Sequence, residues 1–376
     1  MLANKKRTLG KVIAIIAVIV IVIILLLNPG VQSVLKSIFI DPFQKSYPEY
    51  TTFTVERTLT IEANGGTVYN YTIDIPVPED ISENGNELQE LIAISAQPNP
   101  TIEDRYTLDW MEWEGYGPVG QSTRTITITY QMRISTFIWN IGTNEVGNIS
   151  DIPTSLRNSY LGDEWRIIVD NPDIIQRSEA IVGDRTNVKE ALNAIYDWIT
   201  DNIDYSYSSP TLPKTSVETL SSESGDCDEQ AILFCALARA AGIPAWLQLG
   251  VLYDPFMEAW GGHGWIQTYL PLGIDEGVNV TIDTVNRDFL VWRPNRFADF
   301  TDDGNGSHLD DYYFSFYCSY DPSSYSAGET PSFSQEFNAV DYQESEDRVR
   351  PDDFTMSSIV PLSLILPGTF QARVRR

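Results

Sequence analysis

The apolar period of this chain changes partway along it, and that change limits the fold more than any other feature. In FTVERTLTI the residues Phe53, Val55, Leu59 and Ile61 stand at alternate positions, and YNYTIDIPV repeats the pattern through Tyr69, Tyr71, Ile73, Ile75 and Val77. Alternation of this kind marks strands with one buried face. TITITYQMRI continues it through Ile126, Ile128, Tyr130, Met132 and Ile134, while Asn64, Gly65 and Gly66 supply residues that tolerate the positive φ of a tight hairpin. From Val188 the spacing lengthens: Val188, Ala191, Leu192, Ile195, Trp198, Ile199 and Ile203 recur at three- and four-residue steps. An amphipathic helix is predicted there, capped by Thr186 or Asn187, with Glu190 placed as the reciprocal half of a capping box. A second helix is predicted through DEQAILFCALARAA, stopping at Gly242 just before Pro244. Strands resume in AWLQLGVLY, HGWIQTYL and VNVTIDTV. Strands, then helices, then an antiparallel sheet give an α+β class.

The chain has 376 residues, enough for two folded units with separate cores. Its formal net charge of -27 disfavours nucleic acid and anionic lipid and suits cationic ligands. The acidity is interrupted at the start, where Lys5, Lys6, Arg7 and Lys11 precede an uninterrupted apolar run from Val12 to Leu27. At about 1.5 Å per residue the run reaches roughly 24 Å, short of a ~30 Å hydrocarbon core unless Lys11 snorkels or flanking residues join it. Against a buried core helix stands the absence of any polar stripe. Against a cleaved signal peptide stands the lack of a small-residue cleavage pattern where Asn28, Pro29 and Gly30 follow. The expectation is a signal anchor with its basic flank inside and everything after Asn28 outside the cytoplasm. The expected divisions are a basic cytoplasmic segment at 1–11, a transmembrane helix at 12–27, a linker at 28–48, a β-sandwich-like domain at 49–150, an α+β core at 151–300 and an acidic region at 301–376. Periodicity assigns that last region no fold; its late patch IVPLSLILP is too short and proline-broken to span a membrane.

Chemistry concentrates in a few residues. Of three cysteines, at least one is left free or bonded to another molecule; Cys235 and Cys318 can pair, and Cys227 is the candidate free thiol. Gly225-Asp226-Cys227 precedes the second helix, and a helix N-terminus favours the thiolate through its unpaired amides and dipole. The Cys227 amide can also donate to an oxyanion. A thiol nucleophile needs a base, and the chain has only His263 and His308. His263 opens one predicted strand and Asp283 lies near the end of the next. If Leu270 pairs with Val278, Asp283 falls opposite Trp265 and diagonal to His263 on one sheet face; a two-residue shift makes them direct partners. An odd shift separates them.

The ordered blocks IDYSYSS, GDCDEQAILFCALARAAGIPAW, GGHGWIQTYLP and TIDTV resemble the core of the transglutaminase-like superfamily, over about Val188 to Asn286. The resemblance implies a papain-like core, a cysteine-bearing helix packed on an antiparallel sheet, often preceded by an accessory sandwich. It implies Cys227 as nucleophile, His263 as general base and then acid, and Asp283 as the orienting carboxylate. It also implies an upstream aromatic oxyanion donor, for which Tyr205 is preferred over Tyr207 and Trp198. Two positions depart from the family: Gly264 replaces the usual alanine after the histidine, and Thr284-Val285 replaces Pro-Thr after the aspartate.

In DFTDDGNGSHLD, Asp299, Thr301, Asp303, Gly304, Ser307 and Asp310 match a calcium-loop spacing, with an unusual third ligand and no flanking helix pattern; an acidic solvated loop is the competing explanation. No cofactor is required, and calcium is the one candidate ion. The expected activity is attack of Cys227 on an amide carbonyl of a protein or peptide through a thioester. Water as second substrate makes a protease or amidase, the reading placed first; a lysine amine makes a cross-linking transglutaminase. The third alternative is a cell-surface binding or assembly module without turnover. Composition suits a prokaryotic envelope protein of archaeal type.

Overall fold

The computed structural model describes residues 45–351, apart from 84, 117–122, 208–211, 256, 274–275 and 327. The apolar run at 12–27 and the patch IVPLSLILP lie outside the described residues. Among the described residues, no helix is long and apolar enough to cross a membrane.

The β-rich part begins with β1 (Tyr50–Glu62), β2 (Thr67–Pro76), β3 (Ile81–Glu83), β4 (Asn86–Gln97), β5 (Thr101–Arg105), β6 (Leu108–Tyr116) and β7 (Thr123–Ser135). The core strands are β8 (Ala245–Asp254), β9 (Ala259–Gly273), β10 (Glu276–Asp283), β11 (Asp288–Phe289) and β12 (Arg296–Thr301), followed by β13 (Phe316–Asp321) and β14 (Ser332–Glu344). One sheet runs β14-β1-β7-β4-β3 and a second β13-β2-β6-β5, both antiparallel. The alternating residues of β1 and β7 are buried as their period requires, and Phe316 of one sheet stacks on Phe333 of the other at 4.7 Å between ring centroids. Asn64 and Gly65 turn the β1–β2 hairpin with φ of 47° and 81°. Tyr69, placed by alternation on the buried face, is instead exposed.

Strands β13 and β14 come from the region that periodicity left unassigned. Each is an edge strand, and β14 is exposed over most of its length, so it needs no apolar face. Alternation cannot detect such a strand.

The helices are α1 (Thr154–Tyr160), α2 (Pro172–Val182), α3 (Val188–Asn202), α4 (Ser216–Ser222), α5 (Cys227–Ala240) and α6 (Gly306–Tyr313). Asn187 caps α3, its side chain accepting from the Glu190 N–H at 3.1 Å. α5 is buried from Cys227 to Arg239 because α2, α3 and α4 cover it on one side while β8 and β9 lie on the other. This explains why AILFCALA has no polar stripe. Gly242, with φ of 84°, ends the helix, and Ile243 N–H returns to the Ala238 carbonyl at 2.9 Å.

The core sheet runs β11-β10-β9-β8-β12, antiparallel throughout. Leu270 pairs with Val278 and Ile266 with Ile282, so the even register brings Asp283 to the level of Trp265. The β-rich part closes on this sheet through Phe53 against Trp260, at 4.6 Å, and Tyr130 against Phe297, at 5.4 Å. Tyr47–Val349 accordingly falls within one compact unit.

Candidate active site

The N-terminus of α5 is fixed by a reciprocal capping box. The Asp226 side chain accepts from Glu229 N–H and the Glu229 carboxylate accepts from Asp226 N–H, both at 3.2 Å. Glu229 is fully buried and paired with Lys214 at 3.2 Å. Gly225 is required by space: a Cβ there would stand 2.8 Å from Glu229 Cβ. Cys227 thus sits at the first helical position, buried and free; Cys235 and Cys318 are also free and buried, in α5 and β13, and form no disulfide.

Burial pushes the Cys227 thiol well up, and the carboxylates of Asp228 and Asp226 push it further; the Gly264 N–H, donating to the sulfur, pulls the other way. The thiolate expected from the helix end therefore meets an opposing environment, because the capping residue and its neighbour on α5 are both acidic. Gly264 follows His263 on β9 and packs against the first turn of α5, where a Cβ would stand 3.5 Å from Asp228 Cα, so the histidine strand lies directly on the cysteine helix.

His263 and Asp283 meet, with Nε2 at 2.8 Å from Oδ2. With Nε2–H donating to Asp283, Nδ1 is the nitrogen left for proton exchange. Asp283 is 1 % exposed and heavily supported. Arg296 Nη1 donates to Oδ2 at 2.7 Å, Asn286 Nδ2 to Oδ2 at 2.9 Å, and Asn286 N–H to Oδ1 at 3.0 Å. Burial alone would raise this carboxyl, but His263, Arg296 and the Asn286 amide hold it well below the usual range. Arg296 is itself buried, 4.2 Å above the Trp265 ring, and Arg293 orients Asn286 by donating to its Oδ1 at 2.7 Å.

Tyr205 pairs in parallel with Gly225, and its hydroxyl is pushed up by burial and by Cys227, Asp226 and Asp228. Tyr205 is 40 % exposed, and its pairing partner Gly225 lies two residues before Cys227. Tyr207 lies beside Tyr205, whereas Trp198 lies under the Arg177 guanidinium at 4.9 Å.

The residues of the calcium-loop spacing engage separate partners. Asp299 is buried in β12, 3.5 Å from Arg57 and accepting from the Tyr312 hydroxyl at 2.8 Å; burial pushes it up to about 6. Asp303 pairs with His308 at 2.9 Å, and Asp310 accepts from Trp165 at 3.3 Å. Thr301 ends β12 and accepts from Gln248, while Ser307 lies in the first turn of α6. Among the described residues, no three His, Cys, Asp or Glu side chains converge as a metal site.

Several site residues escaped the sequence reading. Asn286 lies only three residues beyond Asp283, but asparagine after a strand reads as a turn residue. Arg57 occupies the inward parity of β1 between Val55 and Leu59, a charged residue on an apolar face, and that was a usable signal. Nothing local marks Arg296 or Tyr313. A cleft opens beside His263, lined by Gly262, Asp228, Tyr312, Tyr313, Arg57 and Phe337.

Residues 175–278 match the family model of the transglutaminase-like superfamily, a span that includes Cys227 and His263 and ends before Asp283. No curated protein matches the sequence. Among solved structures, one named a putative cysteine protease from Cytophaga hutchinsonii is 15% identical, with a TM-score of 0.52 over 83% of this chain and 95% of that one. The periplasmic domain of TgpA from Pseudomonas aeruginosa is 13% identical, with a TM-score of 0.34 over 64% of this chain and 88% of that one. Over residues 175–278 this chain is similar to the core of the transglutaminase-like superfamily.

Proposed function

We propose that this protein is an extracytoplasmic thiol hydrolase that cleaves amide bonds of proteins or peptides. The observation that carries the reading is the 2.8 Å contact of His263 with Asp283 on a strand whose next residue, Gly264, packs against the first turn of the Cys227 helix, where a Cβ would stand 3.5 Å from Asp228 Cα. As the sulfur attacks the carbonyl carbon, the S–H proton passes to His263 Nδ1, the C–S bond forms and the carbonyl π pair moves onto oxygen. Asp283 stabilises the resulting imidazolium. The Cys227 N–H and the Tyr205 hydroxyl are the candidate oxyanion donors. Collapse breaks the C–N bond, and His263 returns its proton to the departing amine. Water then attacks the thioester while His263 takes its proton, releasing acid and thiol. The location outside the cytoplasm rests on the basic flank and apolar run of the N-terminus.

The test is incubation of the full-length chain with a peptide library, with and without an added amine. Shorter peptides that disappear in Cys227→Ala support hydrolysis. Amine adducts alone would assign transamidation, and no Cys227-dependent product would leave the binding-module alternative.

A further inference from the structure

Buried carboxylates in this molecule generally face a cation. Asp283 faces Arg296 at 2.7 Å, Glu164 faces Arg239 at 2.8 Å and Asp299 faces Arg57 at 3.5 Å. Asp228, immediately after Cys227, breaks the pattern. It is 4% exposed, and among the described residues it forms no ion pair with a basic side chain. Its contacts are the Tyr313 hydroxyl, donating to Oδ2 at 2.8 Å, and the Cys227 thiol, 3.6 Å from Oδ1. A carboxylate accepts about four hydrogen bonds, so acceptor positions remain.

Two further observations give this charge a purpose. Asp228 lines the cleft that His263 lines, and the other charged side chains on that wall, Arg57 and Asp299, neutralise each other. The carboxylate also has a space made for it: a Cβ at Gly264 would stand 2.6 Å from Asp228 Oδ1. Gly264 is where the superfamily resemblance leads one to expect alanine, so that departure leaves the space in which the carboxylate sits. An ionised group this deep is unfavourable without a counterion, and the cleft is the route by which one can arrive.

We propose that Asp228 is the recognition carboxylate for a primary ammonium group of the substrate, held in the cleft beside Cys227 and His263. Three N–H donors of an ammonium suit the acceptor positions left open, and the chain's net charge of -27 concentrates cations near it. The ammonium can be the free α-amino group of a peptide or an alkylamine such as a lysine side chain. The assignment rests on the thiol-enzyme reading for its purpose, but binding is measurable without turnover.

The experiment uses the full-length Cys227→Ala chain and ligand-observed NMR titrations with glycinamide and n-butylamine, against uncharged N-acetylglycinamide and 1-butanol. The ammonium ligands should bind at least about tenfold tighter than their neutral counterparts, weaken as salt rises, and lose that advantage in Cys227→Ala/Asp228→Asn. Preference for glycinamide assigns a peptide N-terminus, and preference for n-butylamine an alkylamine. Equal affinity of charged and neutral ligands in Cys227→Ala alone would overturn the proposal, as would an ammonium preference that survives Asp228→Asn. If the wild-type chain cleaves no amide yet the ammonium preference stands, the hydrolase reading fails and the Asp228 assignment does not.

Discussion

Asp283 and Asp228 are buried carboxylates at opposite sides of one site, and their surroundings differ in sign. Asp283 is surrounded by His263, Arg296 and two donors from Asn286, so its charge is compensated before any ligand arrives. Asp228 has one tyrosine hydroxyl and a thiol. The difference teaches that the histidine side is preorganised and internally neutralised, while the cysteine side carries surplus negative charge. The first arrangement fixes a tautomer. The second raises the thiol and leaves a charge open toward the cleft.

The largest expected effect tests the compensated side through its chemistry. Asp283→Asn should lower kcat by about 10³–10⁴-fold, because an amide cannot stabilise imidazolium; near-normal kcat in steady-state assays would remove Asp283 from the mechanism. Breaking the same side from behind, Arg296→Met should destabilise the protein by about 3–5 kcal/mol in urea unfolding, since it leaves Asp283 buried without its ion-pair partner. Asp283 also gives a pH signature. Its folded pKa lies below the unfolded one, so its stabilisation is present above about pH 4 and is lost as pH falls below that; thermal unfolding midpoints should drop there, and less steeply in Asp283→Asn.

On the cysteine side, Tyr205→Phe should lower kcat by about 10²-fold with little change in stability, the loss expected for one oxyanion donor. The smallest effect sharpens the comparison most. Asp228→Asn should change stability by no more than about 1 kcal/mol, in contrast to Arg296→Met, because it removes a charge that has no ion-pair partner and keeps an acceptor for the Tyr313 hydroxyl. It should also lower the thiol pKa, shifting the iodoacetamide-labelling profile of Cys227 to lower pH. A profile unmoved by the substitution would mean that Asp228 does not set the thiol.

The legibility of the sequence follows the same physical lines. Elements that bury a regular face were readable: the alternating runs of β1 and β7, the three- and four-residue steps of α3, and the glycine stop of α5. The even register between His263 and Asp283 was open to inference because both strands have buried faces that forbid a one-residue slip. The edge strand β14 was not, since its side chains mostly face water. Nor were Arg296 and Tyr313, which reach the site from 13 and 85 residues beyond the carboxylates they touch. Local pattern carries no record of such contacts. The acidic loop spacing was legible as a pattern, yet its side chains point to separate partners, because Asp299 belongs to a buried strand and Asp310 to a helix.

The most direct test of Cys227 as an amide-cleaving nucleophile is intact-mass analysis of the full-length chain, acid-quenched during incubation with the peptide library. The expected result is an acyl adduct that maps to Cys227, is discharged by water on longer incubation and is absent from Cys227→Ala. Cleavage that proceeds without such an adduct, or that persists in Cys227→Ala, would contradict it.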